Sequence, residues 1–216
     1  PKFLPYIATK KNGIHIINLE ETIKCIEKAN KEIIKIVNSG GNILFVGTKN
    51  QVKDVVQESA DSCGMFYIVE RWLGGILTNF ATIKKSIKRL EKLEKESSSI
   101  YKNLTKKEMM MLERERIKLS DLHRGIKDMK YIPSAIFVVD VKLEKIAVDE
   151  AKILGIPVFG IVDTNTNPKL VDYPIPANDD SIKTVKLILN HFVESINSNN
   201  LSEKSEGSTS KEQVIE

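Results

Sequence analysis

Apolar positions along this chain switch repeatedly between continuous runs and helical spacing. Residues 14–17 (IHII) form a short β-branched run, after which Leu19, Ile23, Ile26, Ile33 and Val37 fall on one side of a helix. Ser39-Gly40-Gly41 ends that helix. Ile43–Val46 is a continuous apolar run of the kind buried on both faces of a sheet. Gly47-Thr48-Lys49 then turns into a helix expected over 51–61, and residues 66–69 read as the next strand. Further along, 135–140 (AIFVVD) and 157–163 (PVFGIVD) predict strands, with a helix over 145–154 between them that stops at Gly155. A loop over 164–168, a short strand over 173–176 and a helix from 180 to about 196 complete the pattern. Strands alternating with helices predict right-handed crossovers and a parallel sheet covered on both faces.

One stretch interrupts this alternation. Phe80, Ile83, Ile87 and Leu90 recur at spacings of three, four and three within a helix expected over 79–96. A second helix, over 105 to about 124, carries Met109, Leu112 and Leu119, with Ile126 continuing the register. Arg116 and His123 occupy the alternate seam positions, so the seam is imperfect. Ser97-Ser98-Ser99 marks the turn between them. The expectation is an antiparallel helical hairpin with coiled-coil-like packing, inserted between strands. It gives an α/β domain from 1–78 and 131–196, a hairpin over 79–130, and a polar, Ser-rich, disordered tail over 197–216.

Charge changes the picture only when it is placed. The chain of 216 residues has 33 Lys and Arg against 29 Asp and Glu, a net charge of +4. Residues 84–130 alone hold 15 basic and 8 acidic side chains, an excess of seven positive charges, so the remainder is acidic. Lys84, Lys85, Lys88 and Arg89 follow one another with no acidic residue between them, and their spacing lines one side of the first hairpin helix. A solvated helix face is the ordinary explanation of such a run, and Glu91, Glu94 and Glu96 fit it. Four cations on one side also suit sequence-independent contact with a phosphate backbone.

Other chemistry finds less support. Cys25 and Cys63 lie far apart and form no CxxC, which argues against a zinc ribbon or a disulfide scaffold and for buried thiols in a reducing compartment. No apolar run approaches the ~20 residues that span a bilayer. The chain starts at Pro1 rather than Met, as a processed or truncated sequence would. Gly47-Thr48-Lys49 could hold a phosphate at a helix start, yet neither phosphate-loop fingerprint is present. Asp140, Asp163, Asp179 and Asp180 could form a magnesium site, but Asp179-Asp180 reads more simply as an N-cap pair and Asp163 as a turn former. His15, His123 and His191 show no sign of converging. Trp72, before Gly74-Gly75, could stack on a base or anchor the hairpin root, with anchoring the simpler role. Arg71 beside it suits bidentate phosphate recognition.

The ordered stretches 12–20 (NGIHIINLE), 43–49 (ILFVGTK), 71–80 (RWLGGILTNF) and 87–90 (IKRL) carry a family resemblance. So do 104–108 (LTKKE), 125–129 (GIKDM), 133–140 (PSAIFVVD), Glu150, 155–157 (GIP), 162–165 (VDTN) and 175–180 (IPANDD). Together they resemble the bacterial and organellar small-ribosomal-subunit protein two family over about residues 1–196. The resemblance implies a flavodoxin-like three-layer α/β sandwich with a parallel sheet and an inserted antiparallel coiled-coil hairpin. It implies a non-catalytic protein, without cofactor or metal, that binds small-subunit ribosomal RNA between head and body on a cytoplasmic or organellar ribosome. Expected neighbours are other small-subunit proteins, including ribosomal protein one, which captures messenger RNA; no membrane is involved. The family's use of basic residues on RNA transfers to Arg71, Lys84, Lys85, Lys88, Arg89, Arg124 and Lys127. Family members carry a helical segment and a His-Phe-Gly-His-type motif ahead of the Pro1-Lys2 pair, a segment that this sequence does not show. Two other classes stay open: a nucleotide- or metal-dependent enzyme using Thr48, Lys49, Asp140 and Asp163, and a scaffold whose hairpin binds only protein.

Overall fold

A computed structural model describes residues 3–11, 13–95 and 104–209, with side chains to residue 199. Five strands, β3 (Ile43–Val46), β4 (Phe66–Ile68), β5 (Ala135–Val139), β6 (Val158–Val162) and β7 (Tyr173–Pro176), form a parallel sheet. Its order is β4-β3-β5-β6-β7. Counted within the sheet this is 2-1-3-4-5, the flavodoxin-like arrangement, with its switch point between β3 and β5. β3, β5 and β6 are buried at every position, which is why their sequences are unbroken apolar runs.

Alternation along the strands sorts side chains into two cores. Ile43, Phe45, Phe137 and Phe159 face α1 (Leu19–Asn38), α2 (Lys53–Ser62) and α6 (Ile182–Thr209). Phe137 meets Phe45 and Phe192 with ring centroids 5.5 and 5.2 Å apart. Leu44, Val46, Ile136 and Val138 face the other way, onto α5 (Lys145–Ile153), the loop around Trp72, and Phe80, Ile83 and Ile87 of α3 (Phe80–Glu94). The first turns of α3 thus serve as the crossover helix between β4 and β5. Its last turns carry buried Leu90 and Leu93, and α3 packs against α4 (Lys106–His123). Partners pair in antiparallel sense, Ser86 with His123 and Arg89 with Glu115.

α4 starts at a capping box, with Thr105 accepting from the Glu108 amide and the Glu108 carboxylate accepting from the Thr105 amide. Its inward face is only half-buried at Leu112, Glu115, Arg116 and Leu119, while Met109 is exposed, so the expected seam fails at Met109, is partial at Leu112 and Leu119, and is buried at His123 and at Ile126 just beyond the helix. The turn expected at Ser97–Ser99 lies outside the described residues.

The structure differs from the sequence expectation in three places. β2 (Ile14–Ile17) pairs antiparallel with a strand not foreseen, β1 (Ile7–Lys11). β1 is exposed at four of its five residues, so no apolar alternation marks it. The buried face of α1 is Thr22, Ala29, Ile33 and Val37, leaving Leu19 and Ile23 exposed at its start. α6 continues to Thr209, through residues expected to begin a disordered tail, because a helix already nucleated on a packed face adds turns cheaply. Residues 210–216 of that tail lie outside the described residues.

The return from α4 to the sheet crosses the β4 edge at Gly125. A Cβ there would lie 2.2 Å from the Tyr67 carbonyl oxygen and 2.5 Å from its ring. Gly125→Ala is therefore expected to destabilise the chain by about 1–3 kcal/mol, read as a lowered thermal midpoint, because backbone has to move to admit a methyl group.

Candidate nucleic-acid interface

Residues 71–79 carry the chain from β4 to α3, and a single carboxylate organises them. Glu150, on the apolar face of α5 with Ala147 and Ala151, is 6% exposed. Its Oε1 accepts from the Trp72 indole at 3.1 Å and the Gly75 amide at 2.7 Å. Its Oε2 accepts from the Leu77 amide, the Thr78 amide and the Thr78 hydroxyl at 3.0–3.1 Å. Burial pushes the carboxyl up, but the Gly75 and Thr78 amides and the Trp72 indole outweigh it and hold it below the usual range. Gly75 has φ +92°, a backbone shape that turns its amide toward the carboxylate at little cost only without a side chain. Trp72 is thus the anchor of the hairpin root and is 7% exposed.

The cations of α3 occupy about 140° of its circumference, taking ~100° per residue. Lys85, Lys88 and Lys92 are exposed along the centre and share a shallow trough with Arg89. Lys84 leans to one side, its ammonium 5.1 Å from the Phe80 ring centroid and 5.7 Å from that of Tyr131. Arg89 leans to the other and forks onto Glu115 with two bonds of 3.0 Å. That bond holds the Glu115 carboxyl below its usual range against the effect of burial.

The seven expected contact residues are not equivalent. Arg89 is committed to Glu115, Arg124 to Glu70 at 3.2 Å, and Lys127 to Glu94. Lys53 also approaches Glu70, at 3.7 Å. Lys84, Lys85 and Lys88 form no ion pair among the described residues. Arg71 is exposed but lies apart, beside Arg114, Lys118 and Asp121 at a groove of about 570 Å³ against α4. Available charge is thus concentrated on Lys84, Lys85 and Lys88, with Lys92 and Lys130 adding to it. The pairs of Arg89, Arg124 and Lys127 are partly exposed and each joins two different segments, so the cations in them are less available than the lysines of the α3 face.

His123 is 1% exposed, with Nε2 2.8 Å from the Ser86 hydroxyl and a buried Nδ1 that has no partner among the described residues. Burial lowers its pKa below 6.5. His15 and His191 stand elsewhere, in β2 and α6. Cys63 is buried, its thiol pushed up to about 11 by burial, whereas Cys25 is only half-buried.

The strand-end crevice between β3 and β5, where flavodoxin-like folds place a ligand, is crowded with this chain's own groups. Glu144 accepts from the Thr48 amide at 2.9 Å and from its hydroxyl at 2.5 Å. The Lys49 ammonium meets Asp179 at 3.1 Å, Asp140 at 3.7 Å and also Asp180. Burial works against its charge, but the Asp180 and Asp179 bonds prevail and raise its pKa. Asp163, Asp179 and Asp180 offer oxygens within 4.8 Å of one another. Burial, then Asp140, push the Asp179 carboxyl up in spite of Lys49. Asp140 has φ +66° and accepts from the amides of Lys142 and Leu143. The helix cap expected at Asp179-Asp180 falls instead to Ser181, which accepts from the Thr184 amide. An incoming phosphate would face carboxylates here, with Thr48 and Lys49 already engaged.

Among the described residues no helix is long and apolar enough to cross a membrane. A family model described as ribosomal protein S2 matches residues 1–199. A small ribosomal subunit protein uS2 of Fusobacterium nucleatum is 52% identical over 190 residues, covering 87% of this chain and 77% of that protein. The protein of the same name from Onion yellows phytoplasma is 56% identical, over 88% of this chain and 70% of that one. That of Cytophaga hutchinsonii is 51% identical, over 87% and 74%.

Two measurements test this geometry. Glu150→Gln turns one oxygen into a donor facing donors, and is expected to cost about 2–4 kcal/mol in chemical unfolding. For His123 the unfolded chain takes up its proton at higher pH than the folded chain does. Its contribution is therefore complete above about pH 6.5 and is lost as pH falls toward the lower native value. The thermal midpoint should drop more steeply below pH 6.5 in the wild type than in His123→Gln.

Proposed function

The chain belongs to the ribosomal protein S2 family, and from that premise we propose that it docks on small-subunit ribosomal RNA through the lysine face of α3. It is a structural constituent of the small ribosomal subunit that supports translation from the cytoplasmic ribosome. The position proposed is the junction of head and body, with neighbouring small-subunit proteins that include ribosomal protein one. The resemblance to the family supports that position. Support for a protein neighbour comes also from an apolar groove of about 620 Å³ between β2, the start of α1 and α6, where Ile16, Leu19, Ile23 and Leu187 are exposed.

The observation that carries the RNA reading is the placement of Lys84, Lys85 and Lys88. They stand on a helix whose first turns are part of the sheet's core and whose root is clamped by Glu150. Such a face reaches phosphates as a rigid unit, without ordering side chains on a mobile loop. Arg71, Arg89, Arg124 and Lys127 join as contacts once their carboxylate partners are exchanged for phosphate or, for Arg71, directly. The protein performs no reaction in this reading. In the crevice that would serve a nucleotide, Thr48 and Lys49 are held by Glu144 and the aspartates.

Lys84, Lys85 and Lys88 changed together to Glu should leave the thermal midpoint near that of the wild type and weaken incorporation into small subunits. The log–log salt slope of RNA binding should flatten by about two to three, near 0.7–0.9 per lost phosphate contact. Arg89 is left in place because reversing it would also break the Glu115 fork. Wild-type incorporation and an unchanged slope would remove the lysine face from the interface.

A further inference from the structure

We propose that Tyr131 is a stacking platform for an unpaired nucleobase, set beside the lysine face where the chain re-enters the sheet. The proposal rests on the reading of that face as an RNA contact, and adds what is recognised there beyond phosphate. Tyr131 is 80% exposed, more than any other large apolar or aromatic side chain among the described residues. Its backbone is nevertheless held on both sides. Met129 and Pro133 are buried, and the Ser134 amide donates to the Asn42 carbonyl at 2.8 Å as β5 begins. A ring on a fixed base costs little entropy to engage.

The surroundings of the ring point to a nucleotide. The Lys84 ammonium lies near both the buried Phe80 ring and the exposed Tyr131 ring, 5.1 and 5.7 Å from their centroids. Next to it a trough of about 340 Å³ is lined by Lys84, Lys88, Lys127 and Lys130, tempered by Glu91 and Asp128. A nucleotide offers a π-face and an anionic phosphate in one residue, and here an aromatic face and ammonium groups stand side by side. In a duplex the base faces are covered by their neighbours, so the ring can serve only a nucleotide that is unstacked in a loop, bulge or single strand.

The test compares the full chain with Tyr131→Ala, Tyr131→Phe and the triple Lys-to-Glu variant. The probes are a single-stranded oligouridylate and a blunt RNA duplex of the same length, titrated at several KCl concentrations. Tyr131→Ala should weaken single-strand binding about fivefold or more, leave duplex binding unchanged and keep the salt slope, whereas Tyr131→Phe should bind as the wild type. The triple variant should weaken both probes and flatten the slope. Single-strand binding by Tyr131→Ala equal to that of the wild type overturns the platform and leaves the phosphate contact standing. An equal loss on both probes, or a loss in Tyr131→Phe as large as in Tyr131→Ala, also overturns it. If Tyr131→Ala binds both RNAs normally yet fails to enter small subunits, the ring faces a neighbouring protein and the proposal falls. Failure of the wild-type chain to bind either RNA at low salt would instead remove the reading beneath it.

Discussion

A buried carboxylate with five donors aimed at it is the constraint on which the shape of this protein depends. Glu150 lies on α5, in the layer that covers one face of the sheet, and everything it binds belongs to the segment leaving β4. That segment contains Trp72, Ile76 and Leu77, which must be buried to complete the second core, and burial would strand donors of the segment, the Trp72 indole and the Gly75 and Leu77 amides among them, without an acceptor. One ionised side chain satisfies several of them at once. The desolvation of Glu150 is offset because its hydrogen bonds converge with favourable geometry. The direction in which α3 leaves the sheet follows from this, since Phe80 begins two residues after Thr78.

The same economy of internal partners fills the crevice at which this kind of sheet ordinarily takes a ligand. The ends of β3 and β5 open a crevice, and a helix follows each of the two strands. In this chain the amide and hydroxyl of Thr48 are taken by Glu144, and Lys49 is drawn into a group of three aspartates. The positive φ of Asp140 places its carboxylate so that it accepts from two amides of its own loop. The donors that a phosphate would need are engaged by the chain's own acidic side chains.

Much of this was legible in the amino-acid sequence, and the gaps share a cause. β3, β5 and β6 were readable because burial on both faces leaves no polar position to blur the run. β1 was not, because its pairing with β2 is a backbone matter and its side chains face water. The cations of α3 could be named, but their partners could not. Glu115 lies 26 residues from Arg89 and Glu70 lies 54 from Arg124, distances that no local spacing reveals. Glu150 did leave a trace, as an acidic residue on the apolar side of α5 between Val148 and Ala151, where an ordinary amphipathic helix would be apolar.

Charge counted along a chain and charge available at a surface are therefore different quantities. The hairpin region has a formal excess of seven positive charges, but Arg89, Arg124 and Lys127 spend part of theirs on Glu115, Glu70 and Glu94. These pairs have a structural role. Arg89 ties α3 to α4, Lys127 ties the returning segment to α3, and Arg124 ties the hairpin root to the end of β4. The unpaired lysines are left on the ridge that this framework holds in place. A polyanion that displaced the paired carboxylates would gain cations but loosen the ties that present them. On the proposed reading, binding is led by Lys84, Lys85 and Lys88, with Arg89 and Arg124 engaging only where RNA can replace the acid at the same geometry.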